Sequence, residues 1–208
     1  MRKIKIVGLT GQTGAGKSSV SKIIRSQGVE VIDCDLISRE VVAKEKRCVA
    51  DLALEFSISI LNIDGTLNRK KLGSIVFSDK QKLQKLNEII FPYIKEYVLK
   101  RVDELEKAGV KLVVLDAPTL FESGLDADCD SVVSVIAPVV QRQNRIVIRD
   151  HLSDEEARNR IDSQHNDEYY TSRSQLVIVN DSDTHELHIK ALELVSALQR
   201  AAEHYEDE

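Results

Sequence analysis

Glycine and proline are scarce, at 9 and 3 in 208 residues, which excludes collagen-like and low-complexity chains. The three cysteines, Cys34, Cys48 and Cys129, contain no C-x-x-C spacing, and an odd number does not pair off fully. Reduced thiols in a cytosolic protein are therefore expected. Long apolar runs are also missing. The longest nearly apolar stretch, Val132 to Val140, falls well short of the roughly 18 residues a membrane helix needs. The N-terminal MRKIKIVGLTG is broken by Lys5 and matches a first strand better than a signal peptide. Nor is there a basic excess: Lys+Arg 29 against Asp+Glu 34 gives a net charge of −5. That balance argues against nonspecific nucleic-acid binding and leaves room for a local basic pocket that holds an anionic small molecule. A cytoplasmic protein without membrane or nucleic-acid partners is the expectation.

What is present is the composition of a soluble globular protein, 42% hydrophobic and 30% charged. Apolar strand-like runs alternate with helical patterns. Strands are predicted at Ile4 to Leu9, Val29 to Asp33, Lys111 to Asp116, Ser131 to Ile136 and Leu176 to Val179. A helix is expected from Lys17 to about Gln27, then a long helical region from Leu36 to Ala108, broken by the turn pair Asp64-Gly65. Within that region Ser78-Asp79-Lys80-Gln81 has the form of a capping box, and Pro92 should kink or split the helix it opens. Ser153-Asp154-Glu155-Glu156 is a second capping box, and Asp183 is placed to cap a final helix. The acidic end, Glu203 to Glu208, suggests a frayed helix terminus.

Interleaved apolar strands and helices predict an α/β fold: a parallel sheet with helices on both faces. The strandless block after the second strand reads as an inserted helical lobe, and the Arg-rich block Arg142 to Arg173 as a second, smaller insertion. The expected organisation is a core of 1–32, 111–140 and 174–208, a helical lobe of 33–110 and a small helical lid of 141–173.

Gly11-Gln12-Thr13-Gly14-Ala15-Gly16-Lys17-Ser18 satisfies G-x-x-x-x-G-K-[ST] in full, after a strand and before a helix. Glycines let successive N–H groups turn inward around phosphate oxygens, and the helix N-terminus aims partial positive charge at the same anion. Gly11, Gly14, Ala15, Gly16, Lys17, Ser18 and Ser19 are thus the candidate nucleotide ligands, with Lys17 directed to the β- and γ-phosphates. The Ser18 hydroxyl and Asp116, at the end of the third strand, are candidate Mg²⁺ ligands. No N-K-x-D sequence occurs, so ATP is a better fit than GTP.

Val31-Ile32-Asp33-Cys34-Asp35 closes the second strand with two carboxylates. At that sheet edge Asp33 is placed to accept the proton of an attacking hydroxyl or to help hold Mg²⁺. Asp35 is equally well explained as the N-cap of the following helix. Arg142, Arg145 and Arg149 lie three and four apart and share a helix face, suited to a triphosphate or to solvent. Arg69 either anchors an acceptor phosphate or ties the lobe together. His185 and His188, three apart without a nearby Cys or third His, fit a solvated helix face better than a metal site. Cys34, between two aspartates, suits packing better than nucleophilic chemistry.

Several blocks make the chain resemble the dephospho-coenzyme A kinases. They are Gly28 to Val42, Asp64 to Phe77, Leu86-Asn87-Glu88-Ile89-Ile90-Phe91-Pro92, Asp116-Ala117-Pro118-Thr119-Leu120-Phe121-Glu122, and Arg145 through Ser153, in the family's order. The resemblance implies transfer of the ATP γ-phosphoryl group to the ribose 3′-hydroxyl of dephospho-coenzyme A, with Asp33 as base. It also implies a helical acceptor lobe and a lid whose Arg145 and Arg149 reach the phosphates. Three positions depart from the family: Phe91 stands where His is usual, Ser19 where Thr is usual, and Asn180-Asp181 reverses the usual order. A kinase for a nucleoside or other small hydroxyl acceptor is the alternative, and a slowly hydrolysing nucleotide-binding regulator a third. A monomer or small homo-oligomer is expected.

Overall fold

The structure, a computed structural model, describes residues 2–203. Of the acidic end, Glu203 closes the last helix, and the remainder lies outside the described residues. The chain forms two compact units, one from Met1–Ile32 and Leu105–Glu208, the other from Asp33–Glu104.

The first unit is built on a five-stranded sheet in the order β2-β3-β1-β4-β5. Its strands are β1 (Lys5–Gly11), β2 (Glu30–Asp33), β3 (Leu112–Asp116), β4 (Ser131–Ile136) and β5 (Leu176–Val179). β1 is central and runs parallel to β3, with Val7 opposite Val114, and to β4, with Leu9 opposite Val133. β4 in turn pairs in parallel with β5. Helices α1 (Lys17–Ser26) and α9 (Thr184–Glu203) pack together. Val20, Ile24, Ala191 and Val195 from these helices join Val7, Val114, Val133 and Val135 from the strands in one buried core. Each fully buried Val or Leu there contributes about 1.5–3 kcal/mol, which is why the strands are predominantly apolar.

Three further helices, α6 (Val139–Asp150), α7 (Asp154–Asp162) and α8 (Asp167–Thr171), belong to the same unit. Ile146, Ala157 and Ile161 form a small core between α6 and α7, with Val147 and Leu152 against it. The capping box at Ser153 forms as predicted, with its side chain bonded to the Glu156 N–H and Glu156 bonded back. Asp183 caps α9 by accepting from the Glu186 N–H at 2.9 Å.

The second unit holds α2 (Cys34–Lys44), α3 (Lys46–Phe56), α4 (Arg69–Val76) and most of α5 (Lys80–Lys107). Its Asp64-Gly65 turn closes through Asp64, which accepts from the N–H and hydroxyl of Thr66 at 3.0 and 2.6 Å. An isolated antiparallel bridge, Leu61 to Leu67, flanks this turn, so the segment is not wholly helical.

One predicted cap moves by a residue, and one of the two readings at Pro92 drops out. α5 opens on Asp79, whose carboxylate accepts from Gln81 and Lys82 N–H at 2.9 and 3.3 Å, while Ser78 bonds backward to the carbonyls of Ser74 and Ile75. A carboxylate one residue closer to the helix takes the cap from the hydroxyl. α5 also runs through Pro92 as one helix and is not split there. No helix among the described residues is long and apolar enough to cross a membrane.

Candidate active site

β1 ends at Gly11 and α1 begins at Lys17, so Gln12 to Gly16 form the connecting loop. Gly14 and Gly16 have φ of +75° and +105°, a backbone region that side chains rarely adopt. Space is closed there too: a Cβ on Gly14 would stand 2.8 Å from the Arg142 carbonyl oxygen, and one on Gly16 2.5 Å from Asn180 Nδ2. The loop tightens through the Ala15 N–H bonded to the Gln12 carbonyl at 3.1 Å.

Side chains hold the outside of this loop. Arg142 Nε donates to the Thr13 carbonyl at 3.0 Å, Arg145 Nη1 to the Gly14 carbonyl at 3.3 Å, and Asn180 Nδ2 to the Ala15 carbonyl at 2.7 Å. Gln164 Oε1 accepts both the Thr13 N–H at 2.8 Å and Arg142 Nη2 at 3.3 Å. Gln12 Nε2 donates to Asp167 Oδ1 at 2.8 Å. Arg142 is therefore no solvated face. It is 2% exposed, and this burial lowers its pKa. Of the three arginines on one side of α6, the sequence placed Arg142 between phosphate and solvent, whereas it lies against the loop backbone.

Lys17 pairs with Asp116, the last residue of β3, and both side chains are largely buried. Asp116 stands opposite Leu9 in the sheet register, which brings the strand-end carboxylate beside the loop. Ser18 and Ser19 are exposed at the start of α1. A serine hydroxyl and a carboxylate are hard oxygen donors of the kind Mg²⁺ takes alongside water and phosphate oxygens.

Arg145 also donates to Gln141 Oε1 at 3.1 Å and to Asn180 Oδ1 at 3.3 Å. Arg149 forms a two-pronged bond to Asp150, 2.8 Å at each prong, and Arg160 shares the same carboxylate. The Arg149 hydrogen bond is the main cause that holds the Asp150 pKa down at about 2.

In the second unit Asp33, half-buried, accepts from the Leu36 N–H at 3.0 Å and so caps α2. The N-cap, one of the two readings of Asp35, thus belongs to Asp33, and Asp35 lies exposed in the first helical turn. Arg69 Nη2 donates to the Arg39 carbonyl at 2.9 Å, which ties α4 to α2. Both arginines, with Val42, Leu67, Leu72 and Phe77, line a cleft of about 250 Å³. Phe91 is half-buried on α5, and His185 and His188 are exposed on α9. Cys34 is buried and forms no disulfide.

Residues 5–186 match the family model of dephospho-CoA kinase. A dephospho-CoA kinase of Listeria innocua is 40% identical over 177 residues, 85% of this chain and 88% of that protein. A crystal structure from Thermus thermophilus superposes with a TM-score of 0.77 at 30% identity, covering 93% of this chain and 97% of that one. The dephospho-CoA kinase of Campylobacter jejuni does so with a TM-score of 0.70 at 25% identity, covering 94% and 98%. On the match to nearly its whole length, and on that identity to a named relative, the chain belongs to the dephospho-CoA kinase family.

Proposed function

We propose that the protein transfers the γ-phosphoryl group of ATP to the ribose 3′-hydroxyl of dephospho-coenzyme A, giving coenzyme A and ADP. The family match across residues 5–186, which takes in the phosphate loop and the β2–α2 junction together, carries this reading. Gly11, Gly14, Ala15, Gly16, Lys17, Ser18 and Ser19 form the cradle for the ATP phosphates. Lys17, which pairs with Asp116 here, exchanges part of that contact for phosphate oxygens. Ser18 and Asp116 would hold Mg²⁺, which when bound neutralises charge on the transferred group.

Asp33 accepts the proton of the 3′-hydroxyl as its oxygen attacks, and ADP leaves from the opposite side of phosphorus. Its bond to the Leu36 N–H uses one carboxylate oxygen and fixes the orientation of the other. Arg145 and Arg149 act from the 141–173 segment as the lid's contribution, neutralising the phosphates. Arg149 does so by trading Asp150 for a phosphate oxygen. Residues 33–110 serve as the acceptor lobe, where the cleft beside Arg39 and Arg69 offers apolar walls and cationic groups to a long, anionic acceptor. The reaction takes place in the cytoplasm.

Purified protein mixed with ATP, Mg²⁺ and dephospho-coenzyme A tests this directly, with coenzyme A followed by mass spectrometry. Turnover at roughly 1–100 per second is expected. Absence of product from protein that still binds ATP would move the assignment to another hydroxyl acceptor.

A further inference from the structure

A phosphate loop works when its N–H groups point at the anion before the anion arrives. In a trans peptide the C=O of one residue and the N–H of the next point in opposite directions from one rigid plane. A donor that pins the carbonyl outward therefore pins the following N–H inward. Glycine at positive φ is where this matters most, because a glycine-rich backbone has many alternative conformations of similar energy.

The outer carbonyls of this loop are pinned one after another. The Thr13 carbonyl takes Arg142 Nε at 3.0 Å, which orients the N–H of Gly14. The Ala15 carbonyl takes Asn180 Nδ2 at 2.7 Å, which orients the N–H of Gly16. Both donors are themselves fixed. Asn180 is 4% exposed, and its own N–H bonds the Ile136 carbonyl at 2.8 Å at the end of β4. Arg142 is 2% exposed, and Gln164 Oε1 links its guanidinium to the Thr13 N–H, so the Thr13 residue is held at both its N–H and its C=O. A Cβ on Gly16 would strike Asn180 Nδ2 at 2.5 Å, which measures how closely that side chain is pressed to the loop.

We propose that Arg142 and Asn180 are positioning residues of the nucleotide site, which aim the Gly14 and Gly16 amides at the phosphates by holding the preceding carbonyls. Neither touches the reacting atoms. The proposal rests on the loop being the ATP site, as set out above.

The test uses the full chain carrying Asn180→Ala, Arg142→Met or Arg142→Lys. ADP affinity is read by calorimetry, the KM for dephospho-coenzyme A by initial rates, and the Gly14 and Gly16 amides by NMR. Asn180→Ala changes no charge and should weaken ADP binding roughly ten- to a hundredfold, the effect of leaving a buried carbonyl unpaired. The acceptor KM should stay within about twofold, since the loop is not its site. Arg142→Lys keeps the charge and one donor, and its ADP affinity should lie between those of wild type and Arg142→Met. Should either larger truncation fail to fold, Arg142→Lys and the amide shifts of the folded variant carry the test. ADP affinity and amide shifts unchanged in folded Asn180→Ala would overturn the proposal. So would equal losses for both substrates alongside a lowered melting temperature, which mark a structural role alone. A wild-type protein that binds no ADP would instead overturn the reading of the loop itself, and this proposal with it.

Discussion

The carboxylate of Asp33 accepts the Leu36 N–H at 3.0 Å, so the residue that closes β2 also caps α2. The observed helix cap and the proposed proton acceptance thus fall on one side chain, and substitutions separate them. Asp33→Asn retains a capping oxygen but cannot take a proton. Its turnover should fall roughly 10²–10⁴-fold with the melting temperature held. Asp33→Ala should lose turnover equally and forfeit about 1 kcal/mol of stability as well. Initial rates and urea midpoints decide it, and wild-type rates in Asp33→Asn would remove the base assignment.

Lys17 and Asp116 neutralise each other in a largely buried setting. Lys17→Met leaves a buried carboxylate without its cation and should cost about 1–3 kcal/mol, besides weakening ATP binding. Adding Asp116→Asn to Lys17→Met should restore stability without restoring turnover. Thermal melts of the two single variants and the double variant provide the comparison.

The strands were legible from the sequence because they are mostly apolar: β4, buried along most of its length, falls on its predicted residues, and so does the edge strand β5, whose Leu176, Val177 and Val179 are exposed. The caps were harder to place. Ser78-Asp79 and Asp33-Cys34-Asp35 each present two oxygens within reach of one helix start, and only the backbone path selects Asp79 and Asp33. The phosphate loop announced itself by its glycines, but its outer supports did not. Gln164 and Asn180 lie 151 and 165 residues from the atoms they bond, and no local spacing encodes such a contact. For Arg142 the spacing of three and four marked the helix face, and the fold decided that this face meets the Thr13 carbonyl.

Burial pushes the Cys48 thiol up to about 11 and the Cys129 thiol to about 12, with nearby aspartates adding to both. These groups favour the protonated form in the folded state. Their contribution to stability is complete below the ordinary thiol value of about 8.5 and declines as pH rises from there through the folded values. Native protein should therefore leave both thiols unreactive toward a disulfide reagent at about pH 8, with reaction appearing after denaturation. Rapid labelling of either in the native state would contradict the burial.

Asp150 is the opposite case, held down at about 2 by Arg149 and Arg160. The clasp is fully formed above the ordinary carboxylate value of 3.8 and is lost as pH falls through the lower one. Asp150→Asn should lower the melting temperature at neutral pH, and the gap to wild type should close on acidification. Calorimetric scans between about pH 7 and pH 2 would show it. A constant gap across that range would mean that the carboxylate's charge contributes nothing.

Because β1 sits in the middle of a parallel sheet, its partners are made long after it. Its first neighbour, β3, begins at Leu112, and its second, β4, at Ser131. At about 5–20 residues per second, a ribosome leaves the strand waiting several seconds for either one. The loop that follows β1 waits longer still, since the side chain that holds its Ala15 carbonyl belongs to Asn180. A nascent chain thus carries the whole phosphate-loop motif long before Asn180 is made, and gains the finished loop only when β5 and Asn180 have left the exit tunnel.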